Sequence, residues 1–267
     1  MGLSEILIKI DDIKAKLDAA PDFTEGELGR FREQFMVEYT YDSNAIEGNT
    51  LTLEETALVL LEGLTINKKP LRCHLEAIGH RDAFEYVVEL AKKQEHLTEK
   101  MIKDIHALVL MDRPRDKGKY RDVSVSIFGA LDTPPSPMQV PARMESLLKK
   151  NSEDGRHPII KIADFHIKFE QIHPFVDGNG RAGRLIMNLE LIKAGYAPVN
   201  IKFKDRDLYM SCFKDAVTKG NSLKFVEMLA KYELDELENT YFLSQEKLRV
   251  IEYKRANGLL CQPPAGS

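Results

Sequence analysis

The stretch that most constrains this chain runs from His173 to Arg184 and reads HPFVDGNGRAGR. Apolar residues at helical spacing flank it on both sides, which predicts a helix before it and a helix after it. The apolar residues in question are Ile162, Phe165, Phe169 and Ile172 on one side and Leu185, Leu189 and Ile192 on the other. Pro174 cannot continue the first helix. The stretch is therefore a loop whose glycines lead into a helix N-terminus, where backbone N–H groups can bind an anion.

Three glycines in this stretch also spell the dinucleotide-binding pattern G-x-G-x-x-G, at Gly178, Gly180 and Gly183. That pattern binds a dinucleotide only after a buried strand and within a βαβ unit. The residues before this loop have helical spacing instead. A Rossmann fold is therefore excluded.

Four polar residues of the loop indicate nucleotide chemistry. A neutral imidazole at His173 suits a general base near pH 7, although a helix-end histidine also caps carbonyls. Asp177 either caps the turn or binds Mg²⁺, whose usual shell is one carboxylate with phosphate oxygens and waters. Arg181 and Arg184 share a helix face and can both reach a polyphosphate. Arginines in a first helical turn oppose the macrodipole, which favours an anion opposite them.

The rest of the chain carries mostly helical signals. Thr24 with Glu27, and Thr52 with Glu55, are capping boxes. Helices are predicted over 3–17, 24–42, 52–62, after Pro70, after Thr98, from about 144, over 162–173, 181–195, 207–217, 223–229 and 232–252. His166 is interpreted as a buried, hydrogen-bonded residue, and Tyr209 and Phe213 as helix core. The predicted fold class is all-α, with one small β-hairpin flap.

The flap is predicted from a proline-rich stretch at residues 112 to 141. Within it, Val123, Val125 and Ile127 alternate with Ser124 and Ser126, which is the period of a strand. A connection this long inside a compact domain is usually functional. We therefore expect a short hairpin or an extended flap.

Composition sets broad limits on function. The 267 residues are 43% hydrophobic and 30% charged, as in a soluble globular protein. A net charge of -4 argues against non-specific binding to nucleic acid. The cysteines at 73, 212 and 261 match neither a disulfide framework nor a zinc site. Without a signal-peptide pattern or an apolar run of about 20 residues, we expect a cytoplasmic protein with no membrane partner.

The run HPFVDGNGRAGR resembles the Fic family signature HPFx[DE]GNGRxxR and matches every fixed position. Gly118-Lys119-Tyr120-Arg121, the following VSVSI and Pro134-Pro135 resemble the family's flap region. The resemblance extends over roughly residues 50 to 230, with much lower specificity outside the signature. It implies a helical region at 1–95 with an inhibitory helix at 43–49, and a catalytic core at 96–232. The core would carry the flap at 118–141 and the active-site loop at 173–184, with a helix and tail at 233–267.

Most Fic proteins transfer AMP from ATP to a hydroxyl side chain of a target protein. The resemblance implies that His173 deprotonates that hydroxyl and that Asp177 holds Mg²⁺ at the α- and β-phosphates. It further implies that Asn179 and the backbone of Gly178 and Gly180 bind the oxygens of those phosphates.

The same resemblance assigns the arginines and the flap. Arg181 would contact the β-phosphate of ATP and Arg184 the γ-phosphate. Flap residues would pair main chain to main chain with an extended segment of the target protein. Those flap residues are Val125, Ser126, Ile127 and Phe128.

A second family pattern lies N-terminal to the loop. Ser43, Glu47 and Gly48 resemble the inhibitory motif [ST]xxxE[GN] in the arrangement called class II. Ser43 and Glu47 are four residues apart and share a helix face. The resemblance implies that Glu47 pairs with Arg184 and competes with the γ-phosphate. Without the family resemblance, the same residues indicate only a helix that ends at a glycine.

Several functional alternatives stay open at this point. The chain could remove AMP from a modified target, with Glu47 activating water. It could transfer UMP, phosphate or phosphocholine, as other family members do. It could also be a nucleotide-sensing interaction module without catalysis. A homodimer is plausible by resemblance, whereas the target protein and the adenine pocket are left unassigned.

Overall fold

The computed structural model describes residues 1–21, 23–126 and 133–256, with side chains as far as residue 249. All regular structure in these ranges is helical, which confirms the all-α fold class. The helices are α1 (Leu3–Asp18), α2 (Glu25–Ile46), α3 (Leu53–Leu61), α4 (Leu71–Lys92), α5 (Glu99–Val109), α6 (Val140–Glu153), α7 (Pro158–Ile172), α8 (Asn179–Lys193), α9 (Arg206–Lys219) and α10 (Leu223–Ala256). Short 3₁₀ turns precede α6 at Pro137–Gln139 and α9 at Phe203–Asp205.

Local signals in the sequence set the ends of α2 and α3. The Thr24 hydroxyl accepts a hydrogen bond from the N–H of Glu27, and Thr52 does the same for Glu55. Gly48 adopts a φ of 91° directly after the C-cap of α2, a left-handed conformation that glycine adopts without steric cost. Both predicted capping boxes are confirmed.

Helix α8 lies where two hydrophobic cores meet. Its Leu185 and Ile186 belong to the core formed with α2 to α7, and both are fully buried. Its Met187 and Leu191 belong to a second core formed with α1, α7, α9 and α10. Apolar burial on opposite faces fixes the axis and rotation of α8. The N-terminus of α8, where the loop ends, is therefore held rigidly.

Helix α10 corrects one prediction. Helices at 223–229 and 232–252 were expected, but α10 is continuous from Leu223 to Ala256. No glycine or proline lies between Leu229 and Glu233, so nothing in the backbone interrupts the helix. Leu229 and Ala230 are also buried at the expected break. The expected domain boundary at 232/233 thus lies inside a helix.

The β-hairpin flap is not seen in the described residues. Residues 123 to 126 have no strand structure, while Ile127 and Phe128 lie outside the described ranges. Alternating side chains predict which face each residue takes, but a strand forms only through main-chain pairing with a neighbour. The Val123 carbonyl instead accepts a hydrogen bond from the side chain of Arg121.

Among the helices described, none combines the length and the apolar character required to cross a lipid bilayer.

Continuity of α10 is testable at Lys231, an exposed residue at the expected break. Proline at this position removes a helical N–H donor and its ring clashes with the carbonyl four residues earlier. We expect Lys231→Pro to lower the free energy of unfolding by about 3 kcal/mol or more in urea titrations. Lys231→Ala is the control and should stay within about 0.5 kcal/mol. Equal stability of the two variants would contradict a continuous helix.

Candidate active site

The loop between α7 and α8 is bounded by two left-handed residues. His173 is the C-cap of α7, with φ 49° and ψ 62°, and its N–H donates to the Phe169 carbonyl at 3.0 Å. Gly178 is the N-cap of α8, with φ 77°. Left-handed geometry is uncommon for a residue with a Cβ, so surrounding contacts must hold His173 in place. The loop therefore turns sharply at both ends.

Asn179 closes the loop through its side chain. Its Oδ1 accepts from the N–H of Phe175 and its Nδ2 donates to the Phe175 carbonyl, both at 2.9 Å. The residue is 2% exposed. The side-chain amide thus serves the loop in this structure, whereas the family resemblance assigned it to phosphate oxygens.

His106 of α5 holds the loop between α7 and α8 through hydrogen bonds and a ring contact. It was not predicted from the sequence. Its Nδ1 accepts from the N–H of Gly118 at 2.9 Å, so the proton is on Nε2, which donates to the Asp177 carbonyl at 2.8 Å. The ring stacks on Phe175 with centroids 3.6 Å apart. Burial lowers the pKa of His106 to about 4, which keeps the ring neutral. The one sequence signal that could have identified His106 is its position next to Ile105, which was expected to face inward.

The His173 side chain is half-buried, and burial lowers its pKa below the usual range. The Arg121 charge lowers this pKa further. The backbone carbonyl of Glu170 and the carboxylates of Glu47 and Asp177 act in the opposite direction. The net effect favours a neutral imidazole, which is the form that accepts a proton.

Asp177 presents one accessible carboxylate. Its Oδ2 lies 2.9 Å from Nη2 of Arg113, and its Oδ1 lies 3.7 Å from Nη2 of Arg181. In the described part of the chain, no group of three or more His, Cys, Asp or Glu residues is arranged to hold a metal ion. Asp177 therefore fits Mg²⁺ only when a ligand such as a polyphosphate supplies further oxygens.

Arg181 has unused hydrogen-bonding capacity at the start of α8. It is 3% exposed, and its buried Nε and Nη1 have no hydrogen-bond partner among the described residues. Nη1 lies 3.5 Å from the Glu76 carboxylate. No side chain caps α8 either. Buried donors without partners are unfavourable, so this corner of the loop is suited to an anion.

Arg184 contacts both predicted inhibitory side chains. It is 1% exposed, its Nε donates to the Ser43 hydroxyl at 3.0 Å, and its Nη2 donates to the Ser43 carbonyl at 2.8 Å. The same Nη2 donates to Oε1 of Glu47 at 2.8 Å. The structure thus brings Glu47 and Arg184 together, although they lie 137 residues apart in the sequence.

Glu47 also lies directly against the first turn of α8. A Cβ built on Gly180 would be 2.2 Å from Oε1 of Glu47 and 3.1 Å from Nη1 of Arg184. Only a residue without a Cβ allows this approach. The Glu47 carboxylate therefore occupies space next to the anion-binding end of α8.

Glu170 is a second residue that sequence reasoning missed. Its Oε1 is buried without a hydrogen-bond partner among the described residues and lies against Gly183. Burial raises the pKa of Glu170 to about 8, and the nearby Glu47 carboxylate adds to the shift. Glu170 is therefore neutral beside the Glu47–Arg184 pair at neutral pH.

The structure confirms the assignments to helix core. His166 is 1% exposed, and its Nε2 lies 2.8 Å from the hydroxyl of Tyr209. Burial lowers the pKa of His166 to about 3. Tyr209 is itself 1% exposed, and Phe213 packs against the same core.

Comparisons with known proteins agree with this geometry. Residues 96–191 match the family model described as the Fic/DOC family. A relative from Nematostella vectensis, named protein adenylyltransferase Fic, is 36% identical over 233 residues, or 85% of this chain and 53% of the relative. The chain spans about half the length of the curated relatives it matches.

Two solved structures resemble the chain beyond the family-model segment. A Fic domain containing signaling protein from Bacteroides thetaiotaomicron superposes with a TM-score of 0.83 at 26% identity, covering 89% of this chain and 97% of the other. Fic-1 from C. elegans gives a TM-score of 0.78 at 28% identity, covering 90% of this chain and 71% of the other.

The Ser43–Arg184 hydrogen bond predicts a stability effect. Ser43→Ala leaves the buried Nε of Arg184 without its acceptor, and we expect a loss of about 1–3 kcal/mol in the free energy of unfolding. Ser152→Ala on α6 is the control, because Ser152 is exposed, and its loss should stay within about 0.5 kcal/mol. Urea denaturation of both variants measures the difference. A Ser43→Ala variant as stable as the control would show that the bond does not support Arg184.

Proposed function

The chain belongs to the Fic/DOC family, and from this premise we propose that it transfers AMP from ATP to a hydroxyl side chain of a target protein and to itself. The observation that carries the proposal is the pairing of two features at one loop. A half-buried His173 of lowered pKa stands on the loop that leads into the uncapped N-terminus of α8. A general base next to an anion-binding site suits phosphoryl-type transfer, whereas a protein that only binds a nucleotide needs no base.

Polyphosphate binding would use the start of α8. Backbone N–H groups of Gly178, Asn179 and Gly180 would donate to phosphate oxygens, and Arg181 supplies buried donors that have no hydrogen-bond partner among the described residues. The Gly178 N–H donates to Oδ1 of Asp177 in this structure, so phosphate would compete with that bond. In this proposal Asn179 acts through its backbone, since its side chain holds Phe175. Arg181 takes the β-phosphate and Arg184 the γ-phosphate, as the resemblance implies.

The reaction follows from these positions. His173 accepts the proton of the target hydroxyl while the hydroxyl oxygen attacks the α-phosphorus of ATP. The bond between the α-phosphorus and the bridging oxygen breaks, and pyrophosphate leaves. Catalysis of this kind depends mainly on positioning and on neutralising charge. The backbone N–H groups and arginines supply both.

Mg²⁺ is part of the proposal through Asp177, together with phosphate oxygens and waters. When bound, the ion would neutralise phosphate charge and orient the leaving group. Asp177 is paired with Arg113 in this structure, so the ion would compete with that guanidinium.

We propose that Glu47 inhibits the enzyme through Arg184. Their contact occupies the guanidinium that would bind the γ-phosphate, and the carboxylate lies against Gly180. ATP then either fails to bind or binds with its α-phosphorus displaced. A displacement of about 1 Å lowers the rate on the order of a hundredfold.

The target protein would dock on the segment at residues 125–128. Val125 and Ser126, together with Ile127 and Phe128 outside the described residues, are proposed to pair with an extended target segment through main-chain hydrogen bonds. The described part of this segment forms no strand ladder, so its main chain can accept a new partner. A homodimer is a further proposed assembly, and exposed Leu64 and Leu71 offer apolar surface for one.

Inhibition is tested by Glu47→Gly with ATP labelled at the α-phosphate and Mg²⁺. We expect self-modification to rise on the order of a hundredfold, because Arg184 becomes available to the nucleotide. Glu62→Gly is a matched control, since Glu62 is also a helix C-cap that precedes a left-handed glycine. The control should label like the unmodified chain, and equal labelling of all three proteins would refute inhibition by Glu47.

The chemistry of transfer is checked by intact-protein mass spectrometry of the Glu47→Gly variant. A gain of one AMP is expected, whereas label from γ-labelled ATP would indicate phosphate transfer. Loss of AMP from a pre-modified protein would indicate the reverse reaction.

The role of His173 is tested by His173→Ala combined with Glu47→Gly. Loss of the base should lower transfer by about a hundredfold to ten-thousandfold, while calorimetry should find ATP affinity unchanged. His96→Ala, at an exposed position, is the control and should retain full transfer. Transfer that survives in His173→Ala would refute the assignment of the base.

A further inference from the structure

Arg121 is a buried arginine whose hydrogen bonds all end on main-chain carbonyls within the described residues. It is 3% exposed. Its Nε donates to His173 at 2.8 Å, its Nη1 to Val123 at 3.1 Å, and its Nη2 to Pro135 at 2.5 Å and to Ile172 at 3.4 Å. One guanidinium therefore joins three separate parts of the chain.

The positive charge of Arg121 is stabilised by carbonyl dipoles rather than by a carboxylate. Within residues 1–21, 23–126 and 133–249, no carboxylate forms an ion pair with it. The last carbonyls of α7 carry partial negative charge because they have no helical partner. A cation next to Ile172 and His173 is therefore favourable at this helix end.

The same contacts fix an unusual backbone conformation. His173 is left-handed, at φ 49°, a conformation that is unfavourable for a residue with a Cβ. Arg121 holds the His173 carbonyl from its side chain, and its own N–H donates to the Pro174 carbonyl at 2.9 Å. Three successive carbonyls from Ile172 to Pro174 are thus oriented by one residue.

Arg121 also ties down the chain on which the target is proposed to dock. Val123 and Pro135 lie on the two described sides of that segment, and the guanidinium binds both carbonyls. A single rigid, planar group therefore sets the separation between Val123, Pro135 and the backbone of His173.

We propose that Arg121 is a positioning residue for AMP transfer, which holds the backbone of His173 in place and fixes Val123 and Pro135 beside it. The inference rests on the proposed function. Arg121 acts through main-chain carbonyls, so its effect falls on the rate of transfer rather than on nucleotide affinity.

A second consequence concerns the charge of the base. Arg121 lowers the pKa of His173, whereas Glu47 of α2, Asp177 of the loop and the Glu170 carbonyl raise it. Removing the Arg121 charge therefore raises the pKa of His173. Less of the imidazole is then neutral at a given pH, and the acidic limb of the pH–rate profile moves to higher pH.

The test compares Arg121→Gln and Arg121→Lys in the Glu47→Gly background. We expect Arg121→Gln to lower kcat on the order of a hundredfold, with KM for ATP unchanged and the acidic limb shifted upward. Arg121→Lys keeps the charge and should restore the limb. It should recover only part of kcat, since one ammonium cannot serve four carbonyls. Arg143→Gln, at an exposed position on α6, is the control and should match the parent.

Thermal unfolding confirms that each variant is folded before rates are compared. The proposal is overturned if folded Arg121→Gln keeps the parental kcat, or if a rise in KM for ATP accounts for its whole loss. If Arg121→Gln does not fold, Arg121→Lys decides, and a parental kcat in that variant overturns the proposal.

A parent that transfers no AMP would instead refute the proposed function. The positioning role is then read without catalysis, from the backbone chemical shifts of residues 172–174 by NMR in the nucleotide-free proteins. Shifts that are unchanged in Arg121→Gln would overturn it.

Discussion

The structure depends on a guanidinium that is almost fully removed from water. Arg184 lies on α8 where the two hydrophobic cores meet, and a cation in that position requires close acceptors. The C-terminal end of α2 provides them through Ser43 and Glu47. The proposed inhibition and the packing of α8 therefore share one contact. Any anion that displaces Glu47 must also take over its role in neutralising Arg184.

Features that are local in sequence could be predicted from it. The capping boxes at Thr24 and Thr52 set helix starts, because their partners lie three residues away. The loop from His173 to Arg184 is contiguous, so its helix–loop–helix form followed from spacing and its glycines. The contact between Glu47 and Arg184 joins distant segments and was reached only through resemblance to a family.

Features that depend on tertiary burial could not be predicted. Arg121 was noted only as part of a flap-like run and His106 not at all, yet each is buried and donates to a main-chain carbonyl of the loop. The pKa of Glu170 is raised to about 8 chiefly because folding removes the carboxyl from water. Asn179 serves the loop itself because Phe175 lies within reach of its amide. The predicted break in α10 was wrong because packing continues across Ala230.

The close approach of Glu47 to Gly180 makes the proposed inhibition a matter of linkage. A carboxylate and a nucleotide phosphate that need the same space and the same guanidinium oppose each other with a defined coupling free energy. That coupling is reciprocal, so the factor by which Glu47 weakens ATP is the factor by which ATP weakens the Glu47–Arg184 contact. Under the proposed inhibition, the nucleotide concentration would then set how often Glu47 leaves Arg184.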